Sequence, residues 1–174
     1  MPRVNLELNL GGDDWKVASD ISQFETAILN LVINSRDAIA SQGKIKLSNE
    51  NVGTKHDLLL SKDRSIPSQY VSITVADNGV GIPKEVLKHV TEPFFTTKDP
   101  GKGTGLGLSL VHSLVVSSGG EMDIDSEQGV GTTVTIMLPR WQPKDPQGCP
   151  DETSQARGPQ LSAGYLARNP NWTS

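Results

Sequence analysis

The chain predicts an α+β fold: one mixed β-sheet with helices packed on one face. Three observations lead there. Apolar and polar residues alternate at period two over 4–10, 44–52, 70–77 and 121–139, as half-buried strands do. Two longer stretches, 19–43 and 106–120, carry their apolar residues at helical spacing. Strands and helices do not follow a strict βαβ order, which argues against an all-parallel α/β sheet.

Composition bounds the rest. At 174 residues, 35% hydrophobic and 21% charged, the chain suffices for one domain with a sizeable core. A net charge of -4 argues against a nucleic-acid footprint. The single cysteine, Cys149, excludes a disulfide framework and a Cys-type zinc site. No stretch reaches the length of a membrane-spanning helix, and no signal peptide is present. A soluble, cytoplasmic domain is expected, without internal repeats.

The elements follow in order. "VNLELNL" (4–10) alternates as a strand, and "GGDDW" turns the chain. The helix over 19–43 has Asp20 or Ser22 as its cap and Gly43 where helices stop. "KIKLSNENV" (44–52) alternates again, and a polar excursion over 53–69 ends near Pro67. "YVSITVAD" (70–77) is the clearest strand, followed at once by "NGVG". "IPKEVLKHV" (82–90) reads as a short helix with Pro83 near its first position. The stretch 91–105 is a loop rich in Thr, Gly, Pro and Lys, and 106–120 is a second long helix ending at glycine. A hairpin turning at "EQGVG" fills 121–139. From Arg140 the sequence turns polar and proline-rich. Residues 1–139 are therefore read as the domain and 140–174 as a disordered tail or linker.

Three segments carry chemistry. Phe24, Ile28, Leu31 and Ser35 share one face of the first helix, and Asn30, Asn34 and Asp37 share a second stripe. At about 100° per residue that stripe spans only about 60°. Aligned amide and carboxylate oxygens suit a hydrated Mg²⁺, although a solvated surface is the plainer account of any one of them. In the strand 70–77, Asp77 ends the face of Val71, Ile73 and Val75, at the edge of an apolar pocket. A carboxylate there needs a donor, and the adenine amine is one. Gly79 and Gly81 would let a flat ring approach, whereas a tight turn alone needs one glycine. In "GKGTGLGLSL" (101–110), neither common phosphate-loop template fits: Gly103 follows Lys102 where Ser or Thr is required, and positions 106 and 108 are leucines. Gly103, Gly105 and Gly107 nevertheless lead into a helix whose N-terminal amides favour anionic oxygens, with Lys98 and Lys102 nearby.

Taken together, "NLVINSRDAI", "DNGVGIP", "TEPFFTTK", "GKGTGLGLSLVHSLVVSSGG" and "GVGTTVTIMLP" resemble, in order, the N, G1, F and G2 boxes and closing strand of the catalytic ATP-binding domain of bacterial sensor histidine kinases. The likeness covers about residues 4–139, and its wording is most similar to the nitrogen-regulator and hybrid-kinase branches. It implies the Bergerat-type α/β sandwich of the gyrase, histidine kinase and heat-shock chaperone superfamily. It implies ATP or ADP with Mg²⁺ as ligands. By family role Asn34 would bind Mg²⁺ and Asn30 would support the triphosphate. Asp77 would accept from the adenine amine above Gly79 and Gly81. Phe94 and Phe95 would open an ATP lid, and Lys98, Gly103, Thr104, Gly105, Leu106 and Gly107 would approach the phosphates. Thr132 would fix the adenine end through its hydroxyl or a water.

The chain departs from the family in two ways. Many members carry Lys three residues after the Mg²⁺ asparagine, often followed by an aromatic. Here Asp37 and Ala38 stand there, with Arg36 the cation available to substitute. The phosphoacceptor histidine of the family sits in a preceding helical hairpin, and none of His56, His89 and His112 has one around it. His56-Asp57 mimics the acceptor motif but falls between two strands. The chain is thus expected to begin after that hairpin, to be a monomer, and not to phosphorylate itself. The expected function is transfer of the ATP γ-phosphate to a histidine on the separate hairpin domain, and onward to a response-regulator receiver. The alternatives are a nucleotide-binding pseudokinase module and an ATPase of the gyrase type. The latter carries a Glu four residues before the Mg²⁺ asparagine; here that residue is Asn30, which cannot act as a base. Glu25 lies about 180° around the helix from Asn34.

Overall fold

The computed structural model describes residues 3–11, 15–53, 69–98, 103–142 and 160–162. Most of the polar excursion with His56, the loop centre with Lys102, and most of 140–174 with Tyr165, Leu166 and Trp172 lie outside the described residues.

The period-two residues of four segments become strands β1 (Arg3–Leu10), β3 (Gln42–Gly53), β4 (Gln69–Asp77) and the hairpin β5 (Glu121–Glu127) and β6 (Gly131–Pro139). They form one sheet in the order β1-β3-β4-β6-β5. The β1 and β3 strands run parallel, and the remaining pairs are antiparallel. The mixed sheet is therefore as the sequence predicts. The helices α1 (Ile21–Ala38) and α3 (Gly107–Ser117) pack over it, and α2 (Lys84–Leu87) is a single turn beside β5. Between sheet and helices lies one core, joining Phe24, Ile28 and Leu31 of α1 to Val111 and Val115 of α3 and to Leu47, Val75, Ile136 and Leu138 of the strands. Each fully buried aliphatic side chain of this set contributes about 1.5–3 kcal/mol.

The α1 face predicted from spacing is the buried one, and Ala27 joins it. Asp20 is the cap, and its carboxylate accepts from the Gln23 N–H at 2.9 Å. The helix ends at Ala38 rather than at Gly43, because its last carbonyls are taken elsewhere. The Ile39 N–H donates to the Arg36 carbonyl, and the Val80 N–H, from the loop after β4, donates to the Ala38 carbonyl at 3.0 Å. Gly43 lies in β3, where a Cβ would come within 2.7 Å of Asn78 Oδ1 and of the Ile39 side chain. The helix expected over 82–90 shortens to α2, with Pro83 extended as its cap. His89 falls in the turn beyond it, with Nδ1 2.8 Å from the Glu92 carboxylate.

Two short strands have no counterpart among the elements read from the sequence. The strand β2 (Lys16–Ala18) pairs antiparallel with β7 (Gln160–Ser162), and Val17 also bridges to Arg140. The Arg140 guanidinium lies 4.3 Å from the centre of the Trp15 ring. Among the described residues, no helix is long and apolar enough to cross a membrane.

Candidate nucleotide site

The Asp77 end of β4 is built from backbone. Asp77 Oδ1 accepts from the Gly79 N–H at 2.9 Å and the Thr132 N–H at 3.3 Å. Oδ2 accepts no hydrogen bond among the described residues, so a half-buried carboxylate is held by one oxygen and offers the other. The loop that follows is drawn in on both sides. A Cβ on Gly79 would sit 2.7 Å from the Ala38 carbonyl oxygen, and one on Gly81 would sit 2.0 Å from the Glu127 carbonyl oxygen, at φ +67. Across the ladder, Gly131 has φ +145, and its Cβ would sit 2.0 Å from the Asp77 carbonyl oxygen. These glycines are thus needed by the protein's own backbone packing, a requirement separate from any ring above them.

Two residues outside the predicted set lock this end. The buried Ser126 hydroxyl is 2.8 Å from the Thr132 hydroxyl, lies 3.0 Å from the Gly131 carbonyl and accepts from the Ile82 N–H at 2.8 Å. Asn78 Oδ1 accepts from the Lys44 N–H at 2.7 Å and so ties the loop to β3. The signal for Ser126 lay in the alternation of β5: Met122, Ile124 and Ser126 point inward, so a hydroxyl occupies a core position. The Thr132 hydroxyl is engaged with Ser126, while its N–H holds Asp77.

The other end is where α3 begins. Leu106 is its cap and has no side chain to satisfy the first N–H groups of the helix. Those free amides, with the helix dipole behind them, favour an anion. The Cβ direction of Gly107 points at α1, 3.4 Å from Asn34 Nδ2 and 3.8 Å from the Asn30 side chain. Both asparagines are half-buried, and neither side chain makes a hydrogen bond among the described residues. The structure thus brings Asn30, Asn34 and the uncapped α3 terminus together. No cluster of three or more His, Cys, Asp or Glu occurs among the described residues, so a cation here would rely on amide oxygens and its own ligands.

The intervening segment closes on itself. The Phe94 N–H donates to the Gly105 carbonyl at 3.0 Å, and both residues have φ near +67. Gly105 tolerates that conformation; Phe94 does so at a cost of about 1–3 kcal/mol and is itself 76% exposed. Gly103 packs on Thr96 and Lys98. Thr104 Oγ1 accepts from the Leu106 N–H at 3.4 Å. Lys98 Nζ donates to Asp37 Oδ2 at 2.7 Å. Arg36, which the sequence offered as a cation for the phosphates, instead turns two N–H groups onto Asp37 Oδ1, at 2.9 and 3.2 Å. Partial burial pushes the Asp37 carboxyl up, but the bonds and charges of Lys98 and Arg36 outweigh it and hold the group below the usual carboxylate range.

A half-free carboxylate, an uncapped helix and two amides without partners among the described residues are the parts a nucleotide site needs. Residues 19–142 match the family model of histidine kinase-, DNA gyrase B- and HSP90-like ATPases. The chain belongs to this family. Its relatives within the histidine kinase-like ATPases include the sensor kinase CckA of Brucella abortus (strain 2308), 45% identical over 138 residues, which cover 79% of this chain and 14% of that protein. The sensor histidine kinase ZraS of Escherichia coli (strain K12) is 34% identical over 134 residues, covering 76% of this chain and 25% of that protein. The catalytic domain of the histidine kinase ThkA has the same fold, with a TM-score of 0.62 at 27% identity, over 79% of each chain. A mycobacterial sensor histidine kinase, MprB, gives 0.60 at 26% identity, over 79% of this chain and 82% of that one. The described domain is the catalytic ATPase domain of sensor histidine kinases, a nucleotide-binding module, and it spans only a small part of the curated relatives.

Proposed function

We propose that this domain binds ATP with Mg²⁺ and presents the γ-phosphate to a histidine on a phosphoacceptor hairpin domain, in the cytoplasm and in the service of two-component signalling. The observation that carries the reading is the meeting of the uncapped α3 terminus with the unpartnered Asn30 and Asn34. Asp77 Oδ2 accepts from the adenine amine, with Gly79 and Gly81 beneath the base and Thr132 holding Asp77 in place. The amides from Gly105 to Gly107, with Gly103, Thr104, Leu106 and Lys98, take the phosphates, and Phe94 marks the hinge of the lid. Asn34 offers an amide oxygen to Mg²⁺, whose charge offsets that of the triphosphate, and Asn30 supports the phosphate side. An imidazole nitrogen then forms a bond to the γ-phosphorus as the bond to the ADP oxygen breaks, and a receiver aspartate accepts the group later. The residues here position and neutralise; none need accept the proton. Asn30 also argues against an ATPase role, since an amide cannot activate water.

The test is an incubation with labelled ATP, alone and with the cognate hairpin domain added. Label should appear as acid-labile phosphohistidine on the hairpin only, and Asn34→Ala should abolish it. ATP binding without transfer would leave a regulatory module; label on His56 would place the acceptor in this chain.

A further inference from the structure

We infer that Asp37 is a competitor of the nucleotide rather than one of its ligands: it holds Lys98, and through it the lid, on the end of α1 until a phosphate chain displaces it. This rests on the reading of 98–107 as the phosphate side. Lys98 and Asp37 are 61 positions apart, and their ion pair, 2.7 Å long with both side chains about two-thirds covered, joins the start of the lid to the last turn of α1. Described residues on both limbs of the lid gather around Lys98. The Lys98 N–H donates to Thr96 Oγ1 at 3.2 Å, and on the returning limb a Cβ on Gly103 would stand 3.1 Å from Lys98 Cδ. Gly105 then closes onto Phe94. One carboxylate therefore holds the only lysine described in this segment, one turn along α1 from Asn34.

Lys98 commits one N–H and its position to Asp37 Oδ2, so a phosphate oxygen that draws the ammonium away does so against that ion pair. Arg36 also donates to Asp37, on Oδ1, so loss of Lys98 need not strand a bare carboxylate. A ligand with several phosphates displaces one carboxylate, whereas adenosine carries no phosphate and AMP lacks the β- and γ-phosphates that would reach Lys98. The latch thus weakens ATP binding while making lid release depend on the phosphate chain.

Calorimetry with ATP and AMP on the wild type, Asp37→Asn, Lys98→Gln and the double variant tests this, alongside limited trypsin digestion without nucleotide. Asp37→Asn should tighten ATP about two- to fivefold, as expected for freeing one partly exposed ion pair, and leave AMP unchanged. The gain should fade at about 0.5 M salt. It should also vanish in the Lys98→Gln background, while Lys98→Gln alone weakens ATP. Cleavage after Lys98 should be faster in Asp37→Asn by a similar factor. Weaker ATP binding in Asp37→Asn would make Asp37 a support for the bound state and overturn the competition. Equal ATP affinities would overturn it too. No ATP binding in any of the proteins would overturn the nucleotide reading itself.

Discussion

Around Asp77 four backbone segments approach until no side chain fits between them, whereas around Lys98 a loop is held to α1 by one ion pair. At the first end, Gly79, Gly81 and Gly131 each face a carbonyl of another element at 2.7 Å or less, measured from where a Cβ would stand, and Ser126 joins three of those segments. At the second end, the atoms nearest a Cβ on Gly103 belong to the side chains of Thr96 and Lys98, and the close backbone approach there, 2.4 Å from a Cβ on Gly105 to Phe94, joins the loop to itself rather than to another element. The difference fits two kinds of work. A flat base is recognised by one carboxylate oxygen, and the recognition is sharper if that oxygen cannot move. On the proposed function, a triphosphate that is admitted, enclosed and shown to a histidine from another domain needs a cover that lets go.

Alanine at the glycines is the strongest way to break this contrast. Gly131→Ala places a methyl 2.0 Å from the Asp77 carbonyl oxygen at φ +145, and should cost on the order of 3 kcal/mol of unfolding free energy in urea. Gly81→Ala should behave alike. Gly129→Ala has φ +84 but nothing within 4 Å, and should cost only about 1 kcal/mol, the backbone penalty alone. Gly103→Ala meets side-chain atoms, Thr96 Oγ1 at 2.9 Å and Lys98 Cδ at 3.1 Å, rather than the backbone of another element, and should cost about 1 kcal/mol or less. Equal costs at Gly131 and Gly103 would erase the distinction between the two ends.

Next in size is the base itself. Asp77→Asn keeps the shape of the side chain but turns its outer oxygen into an amide donor or loses the charge on it. ATP affinity should fall about 10- to 100-fold by calorimetry, the range for a hydrogen bond to a charged group. An unchanged affinity would remove Asp77 from base recognition. Ser126→Ala should act more weakly on the same quantity, by loosening Ile82 and Thr132 together, and should cost about 1–3 kcal/mol of stability because buried partners lose their bonds.

Much of this was legible in the chain. Period two placed β1, β3, β4 and the β5–β6 hairpin, and helical spacing picked out the buried face of α1, because in each case the core reads one side of a regular element. The residues proposed to meet the nucleotide were picked out in the same way: Asn30 and Asn34 share a helical stripe, and Asp77 ends a strand. What escaped depended on distant backbone. The end of α1 is set by the Val80 N–H, which arrives from 42 positions beyond Ala38 and leaves no mark on the local sequence. β2 has three residues, too few for a period, and exists by pairing with Arg140 and β7. The partner of Lys98 was hidden because nothing in "NSRDAI" says that its aspartate meets a lysine 61 positions away.

The smallest expected effect bears on that last pair, through pH. The Asp37 carboxyl is depressed in the fold, so its contribution to stability is complete above the ordinary aspartate range, near pH 4, and is lost as pH falls through the lower folded value. The groups acting on it are Lys98 and Arg36, one from the lid and one from its own helix. With about a third of each lid-pair side chain exposed, the contribution is worth no more than about 1 kcal/mol and is hard to see in a melting curve. A carbon NMR titration of the Asp37 side-chain carboxyl sees it directly. Its midpoint should lie below that of an aspartate in a short peptide, and should rise in Lys98→Gln while the neighbouring Arg36 keeps part of the depression. A midpoint that ignores Lys98 would mean that the lid is held by its backbone contacts, and the second end of the site would then be as fixed as the first.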